Sequence, residues 1–163
     1  MNDSSEILGR IQDASFARAS AATRNSFPPE RRMDAFRLQE FLERHPTGVL
    51  ATTRSDGRPH AAPVTFALAG PQIAIASLDG AQRIENLRAH PHASLVISQD
   101  AQAVVIIEGA ARVVPPAEAS ATVRERFRDP SGALPPWIGA FVVVTPERVL
   151  SYADEAFEIG PSA

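Results

Sequence analysis

The chain has 163 residues, 44% of them apolar and 21% charged, with a formal net charge of −3, the profile of one ordinary globular domain able to bury a core. No run of about 18 apolar residues occurs, which excludes a membrane-spanning helix, and the absence of a basic excess excludes a nucleic-acid binder. Cysteine is absent, so disulfides and thiolate chemistry are excluded as well. The expected address is cytoplasmic, because the N-terminal MNDSSEILGR lacks the layout of a secretory signal.

Residues 1–32 are polar, rich in Ala, Ser and Arg, and end in Phe27-Pro28-Pro29; they read as a flexible or weakly helical arm with a proline stop. In RMDAFRLQEFLERHP, Met33, Phe36, Leu38, Phe41 and Leu42 recur at helical spacing, so an amphipathic helix is expected, closed by Pro46. The period then changes to extended. VLATTR and PHAAPVTFAL read as two strands joined by the Asp-Gly turn of SDGR. Pro59 and Pro63 lack ladder donors, so the second strand must contain a bulge or present a free edge there. QIAIAS alternates as a third strand, and a turn and a short helix near 80–89 follow it.

ASLVIS and AVVIIEGAARVV predict two further strands, the second bulged or sharply bent at Gly109. PPAEASATVRERFR carries the marks of a helix, and DPSGALPP those of a loop. WIGAFVVVTPERVLSYA gives a last strand or strand pair, broken at Thr145-Pro146. The tail, residues 153–163, reads as untied, which leaves 33–152 as the folded domain. Six or so strands with meander connections predict a small antiparallel β-barrel with helical decoration.

Chemistry-bearing residues are sparse. All 16 cationic side chains are arginine, so no Schiff base is possible, and anions must be held by guanidinium forks, helix ends or backbone amides. The segment SLDGAQRIENLRAHP ends a strand at Ser77, turns at Asp79-Gly80 and starts a helix, the arrangement that offers free amides and a positive dipole end to an anion. Arg83 lies in the first turn, where a cation opposes the dipole by about 0.3–1 kcal/mol. Such exceptions to a local rule tend to mark sites. His45 and His60 have no local partners, His90 and His92 only flank Pro91, and no histidine or carboxylate spacing suits a metal. No nucleophile elbow, P-loop or dinucleotide fingerprint is present, and Glu85, Asp100 and Glu108 are scattered. Trp137 follows two prolines and suits either a core position or stacking on a planar ligand. No catalytic side chain is therefore expected.

Three segments, in order and spacing, resemble the pyridoxamine 5'-phosphate oxidase-like family of flavin-binding split barrels. They are the opening hairpin GVLATTRSDGRPHAAPVTFAL, the phosphate-binding turn and helix IASLDGAQRIENLRAHPHASLVI, and the Glu-Gly strand VVIIEGAARVV. The resemblance implies a mainly β (α+β), six-or-so-stranded antiparallel split barrel with flanking helices. It also implies a homodimer with a cofactor at the subunit interface. By position it puts Arg83 on the cofactor phosphate, with Gln82 beside it and Ser77 at the strand end. Pro63, Val64, Thr65 and Phe66 then line the tricyclic ring, Arg58 and Arg88 border its anionic part, and Trp137 reaches across from the partner subunit.

Two departures refine this. Ala62 to Ala67 lack the cations of true vitamin B6 oxidases, and the C-terminal SYADEAFEIGPSA lacks their arginine-bearing motif. Phosphorylated B6 is thus not the expected substrate. The pattern is closer to the branch that uses the deazaflavin coenzyme F420, with FMN second. The expected activity is hydride transfer between that cofactor and a planar conjugated small molecule such as an enone or quinone. The alternative is a non-catalytic flavin, deazaflavin or haem carrier.

Overall fold

The computed structural model describes residues 3–159. Among these, six strands form one closed antiparallel barrel in the order β1-β2-β3-β6-β5-β4. The strands are β1 (Thr47–Thr53), β2 (Pro59–Ala69), β3 (Gln72–Ser77), β4 (His92–Gln99), β5 (Ala103–Val114) and β6 (Ala140–Ala153). Helices α1 (Asp3–Arg18), α2 (Ala21–Ser26) and α3 (Ala35–Arg44) precede them; α4 (Gln82–Ala89) joins β3 to β4, and α5 (Ala121–Glu125) lies between β5 and β6. The barrel and flanking helices are as expected. The helix anticipated over residues 115–128 is only five residues long, because its first part is a set of turns.

Register explains the core. Ala62, Leu50, Leu95, Ile107 and Val149 stand opposite one another across β2, β1, β4, β5 and β6, and the last four point inward and are buried. One residue along each of the first four strands lies the outward row Pro63, Val49, Val96 and Ile106, since side chains alternate faces. The pairing of β5 with β6 slips at Gly109, which faces Pro146 while Glu108 faces Arg148. A Cβ at Gly109 would fall 2.0 Å from the Thr145 carbonyl oxygen, so the bulge requires glycine there. Pro146 marks this bulge without ending the strand. β2 meets β3 only over Phe66–Ala69, so Pro59 and Pro63 sit where β2 has a free edge on that side.

Residues 3–32 are more ordered than the sequence suggests. β3 covers β6 only from Ala140 to Val144, which leaves the rest of that edge of β6 without a strand. Helix α1 fills the gap with side chains. The Val149 N–H donates to Ser15 Oγ at 3.0 Å, Ser151 Oγ donates to Gln12 Oε1 at 2.6 Å, and the Met33 N–H donates to Ser151 Oγ at 3.0 Å. Gln12 Nε2 completes the set by donating to the Met33 carbonyl. These polar groups are buried together with Leu8 and Phe16. The face of α1 that meets the barrel is therefore partly polar, and hydrophobic periodicity alone does not reveal it.

Two other expectations change. Phe36 is 65% exposed, because the core stripe of α3 is Leu38, Phe41 and Leu42, and a residue two before Leu38 points away from it. The tail is tied as far as the described residues go: Phe157 is buried, packs its ring 5.9 Å from Phe41, and accepts a hydrogen bond on its carbonyl from Arg37. Among the described residues no helix is long and apolar enough to cross a membrane.

Two predictions follow from this packing. Ser15→Ala leaves the Val149 N–H buried without an acceptor and should cost about 1–3 kcal/mol, read by denaturant unfolding; an unchanged midpoint would show that the α1 contact does not seal the edge. His45 packs between Phe41 and Phe157 with a buried Nε2 that has no partner. Burial, and secondarily the Arg44 guanidinium, hold its imidazole below its ordinary value. The unfolded chain then takes up this proton first as pH falls through about 6.5, so native stability present above that pH is lost below it. Thermal melts from about pH 7 to about 5.5 should show a drop in Tm that is smaller in His45→Phe.

Candidate functional site

The site is built where β3 gives way to α4. The chain leaves the barrel at Ser77, whose side chain is fully buried, and turns through Gly80 at φ 79°, a left-handed conformation that glycine adopts without strain. Helix α4 is fixed from below by Ile84 and Leu87, both in the core. It is fixed laterally by buried Asn86, whose Nδ2 donates to Thr52 Oγ1 on β1 at 2.9 Å. The first turn is thereby rigid, and no side chain caps the helix at Ala81.

Arg83 is the second residue of α4. Its Nε donates to Ser77 Oγ at 3.0 Å, which turns the rest of the guanidinium toward a cavity of about 370 Å³. Pro63, Val64, Thr65, Ala76, Arg83, Phe127 and Trp137 line this cavity. Arg83 is half-buried and has no carboxylate partner among the described residues, and the lining contains no acid. An uncompensated guanidinium against apolar walls is costly unless an anion meets it.

The aromatic side of the cavity rests on a separate small cluster outside the barrel, in which Val114, Ala119, Val123, Ile138, Phe141 and Val143 pack together. Phe127 packs 5.3 Å from Phe141, and Phe141 stands opposite Ala76 in the β3–β6 ladder. Ala76 thus leaves open the space that Phe127 and Trp137 enclose. Trp137 is 52% exposed, so its ring faces the cavity and solvent and is not a core residue.

The structure thus gathers six of the ten anticipated residues: Arg83 with Ser77 beneath it, Pro63, Val64, Thr65 and Trp137. Trp137 belongs to the same chain as Arg83. Phe66 lies elsewhere: it alternates inward and is a core residue. Gln82 points away from the cavity, accepting from Arg54 at 3.2 Å and donating to Asn86 at 2.9 Å. Arg58 pairs with Asp56 at 2.7 Å inside the β1–β2 turn and is well exposed. Arg88 pairs with Asp79 at 3.5 Å and borders a different cavity. Phe127 was not anticipated. Its signal was present, since Val123 and Phe127 form an i,i+4 apolar pair in an otherwise polar stretch.

A cation on a rigid helix start and an aromatic wall opposite an alanine floor suit a flat ring bearing a phosphate. Among solved structures, a conserved hypothetical protein of Mycobacterium tuberculosis, Rv2991, matches with 21% identity and a TM-score of 0.64 over 83% of this chain and 98% of that one. A structure described as an F420 reductase shares 25% identity at a TM-score of 0.54, covering 68% of this chain and 94% of that one. A haem-binding protein from Mycobacterium smegmatis shares 22% identity at a TM-score of 0.56, over 73% of this chain and 54% of that one. No curated protein matches the chain. The family model described as pyridoxamine 5'-phosphate oxidase matches residues 37–151, which span all six strands and the Arg83 cavity; the chain belongs to that family.

Proposed function

We propose that the protein is a dimeric split-barrel oxidoreductase that binds coenzyme F420, or FMN, in the Arg83 cavity. When bound, such a cofactor supplies hydride transfer to or from a planar conjugated substrate such as an enone or quinone. The observation that carries this reading is the half-buried Arg83 guanidinium, braced by Ser77 and lacking a carboxylate partner among the described residues. A phosphate would complete it through charge-assisted hydrogen bonds. Pro63, Val64 and Thr65 would lie along one side of a ring, and Phe127 and Trp137 along another. Ala76 leaves room for the ring, and the apolar walls would exclude water from the reacting face. No acid–base pair lines the cavity, in keeping with chemistry that resides on the cofactor.

The dimer reading rests on the outward row Pro63, Val49, Val96 and Ile106. This apolar stripe crosses four strands, with Val49 45% exposed, and exposed apolar rows of this kind mark interaction surfaces. Pro63 ends the row and also lines the cavity, so a partner on this face would border the cofactor site.

A carrier without turnover is the second reading, favoured by the likeness to the haem-binding structure described above. Anaerobic reduction of the bound cofactor separates the two: an enzyme passes the hydride to an enone or quinone saturably and faster than the free reduced cofactor does, and a carrier does not.

Arg83→Ala should weaken F420 or FMN binding by about 1.5–3 kcal/mol, roughly 10- to 150-fold, in a fluorescence titration. Equal affinities in variant and wild type would remove the basis of the proposal. In solution the protein should have twice the chain mass by light scattering, and Val49→Glu should yield monomers. A wild-type monomer at micromolar concentration would contradict the dimer.

A further inference from the structure

A second cavity, about 430 Å³ in volume, lies at the rim of the barrel between the end of α4, the end of β5 and the start of β6. Its walls include Leu87, Pro91, Ala111, Val113, Pro115 and Ala140, an apolar surface in the size range of small-molecule sites. Its charges are Arg88, Arg112 and Asp79. Asp79 reaches Arg88 only at 3.5 Å, a long contact between exposed side chains that contributes little. Arg112 is exposed on β5, and its guanidinium has no hydrogen-bond or ion-pair partner among the described residues. The cavity mouth therefore carries two guanidiniums against one carboxylate, above an apolar floor.

This cavity differs from the Arg83 site in its residues but shares a wall with it in the chain. Gly139 donates its N–H to the Ser77 carbonyl at 3.0 Å, and a Cβ there would lie 2.6 Å from the Asp79 nitrogen. The β3–α4 turn is thus pressed against the start of β6, with Ser77 serving the Arg83 cavity and Asp79 serving this one. Glycine at 139 allows both cavities to sit on one turn.

We infer that the rim cavity is a second binding site, for a monocarboxylate with a compact apolar body, held by Arg112 and Arg88. A carboxylate accepts two parallel hydrogen bonds from a guanidinium fork, and Arg112 offers one with no competing acid. The apolar body then packs on Pro91, Val113 and Pro115, the accessible apolar residues of the lining. A dianion gains less, because Asp79 repels the second charge, and a neutral isostere leaves Arg112 unmet.

The test is isothermal titration of the full-length protein with benzoate, hexanoate and the uncharged benzyl alcohol. Benzoate or hexanoate should bind saturably and benzyl alcohol should not. Arg112→Gln should weaken binding at least tenfold and Arg112→Lys by less, whereas Arg83→Gln should leave it unchanged. Arg112 is exposed, so the variants should melt as the wild type does, which separates lost binding from lost folding. No saturable binding of either acid, equal binding by Arg112→Gln, or loss in Arg83→Gln with none in Arg112→Gln would overturn the inference; the last would place the acid in the Arg83 cavity.

Discussion

The hydrogen bond from Arg83 Nε to Ser77 Oγ is the constraint on which the site depends. It fixes one edge of a guanidinium that has no carboxylate partner among the described residues, and so leaves its other donors directed at the cavity. Several features exist to hold that geometry. Ser77 is anchored through its carbonyl by the Gly139 N–H, Gly80 supplies the left-handed turn, and Asn86 ties the helix to Thr52. Surface arginines are ordinarily free to move, and fixing such a side chain costs conformational entropy. Here that cost is met by the folding of the barrel, before any ligand arrives, which is what pre-organisation means in energetic terms.

Much of the barrel was legible because two-residue alternation and turn chemistry agree locally. The Asp-Gly turn, the alternation of QIAIAS and the glycine in β5 each have one physical solution, and register then follows from which side chains can be buried. Gly109 shows this well: the sequence signals a bend, and the structure supplies the Thr145 carbonyl that demands it. Alternation also separates Val64 and Phe66, which are buried, from Pro63 and Thr65, which are exposed; of these four, Phe66 is the one missing from the lining of the Arg83 cavity.

What the sequence concealed was polar burial and long-range pairing. Helix α1 meets β6 through Gln12 and Ser15, residues that read as surface until the unpaired edge of β6 is known. Gln82 turns away from the cavity because of Arg54, 28 positions earlier, a separation no local rule spans. Arg58 is different: its partner Asp56 is two residues away in the same turn, and that pairing could have been read from SDGR. Phe157 closes over Phe41 and His45 from a tail that carries no periodic signal.

A crystal structure of the protein grown with F420, or with FMN, tests the central claim most directly. The account predicts the cofactor phosphate at about 2.7–2.9 Å from the Arg83 guanidinium, with the ring between Pro63–Thr65 and the Phe127–Trp137 wall. A phosphate held by other residues, with Arg83 directed into solvent, would contradict it.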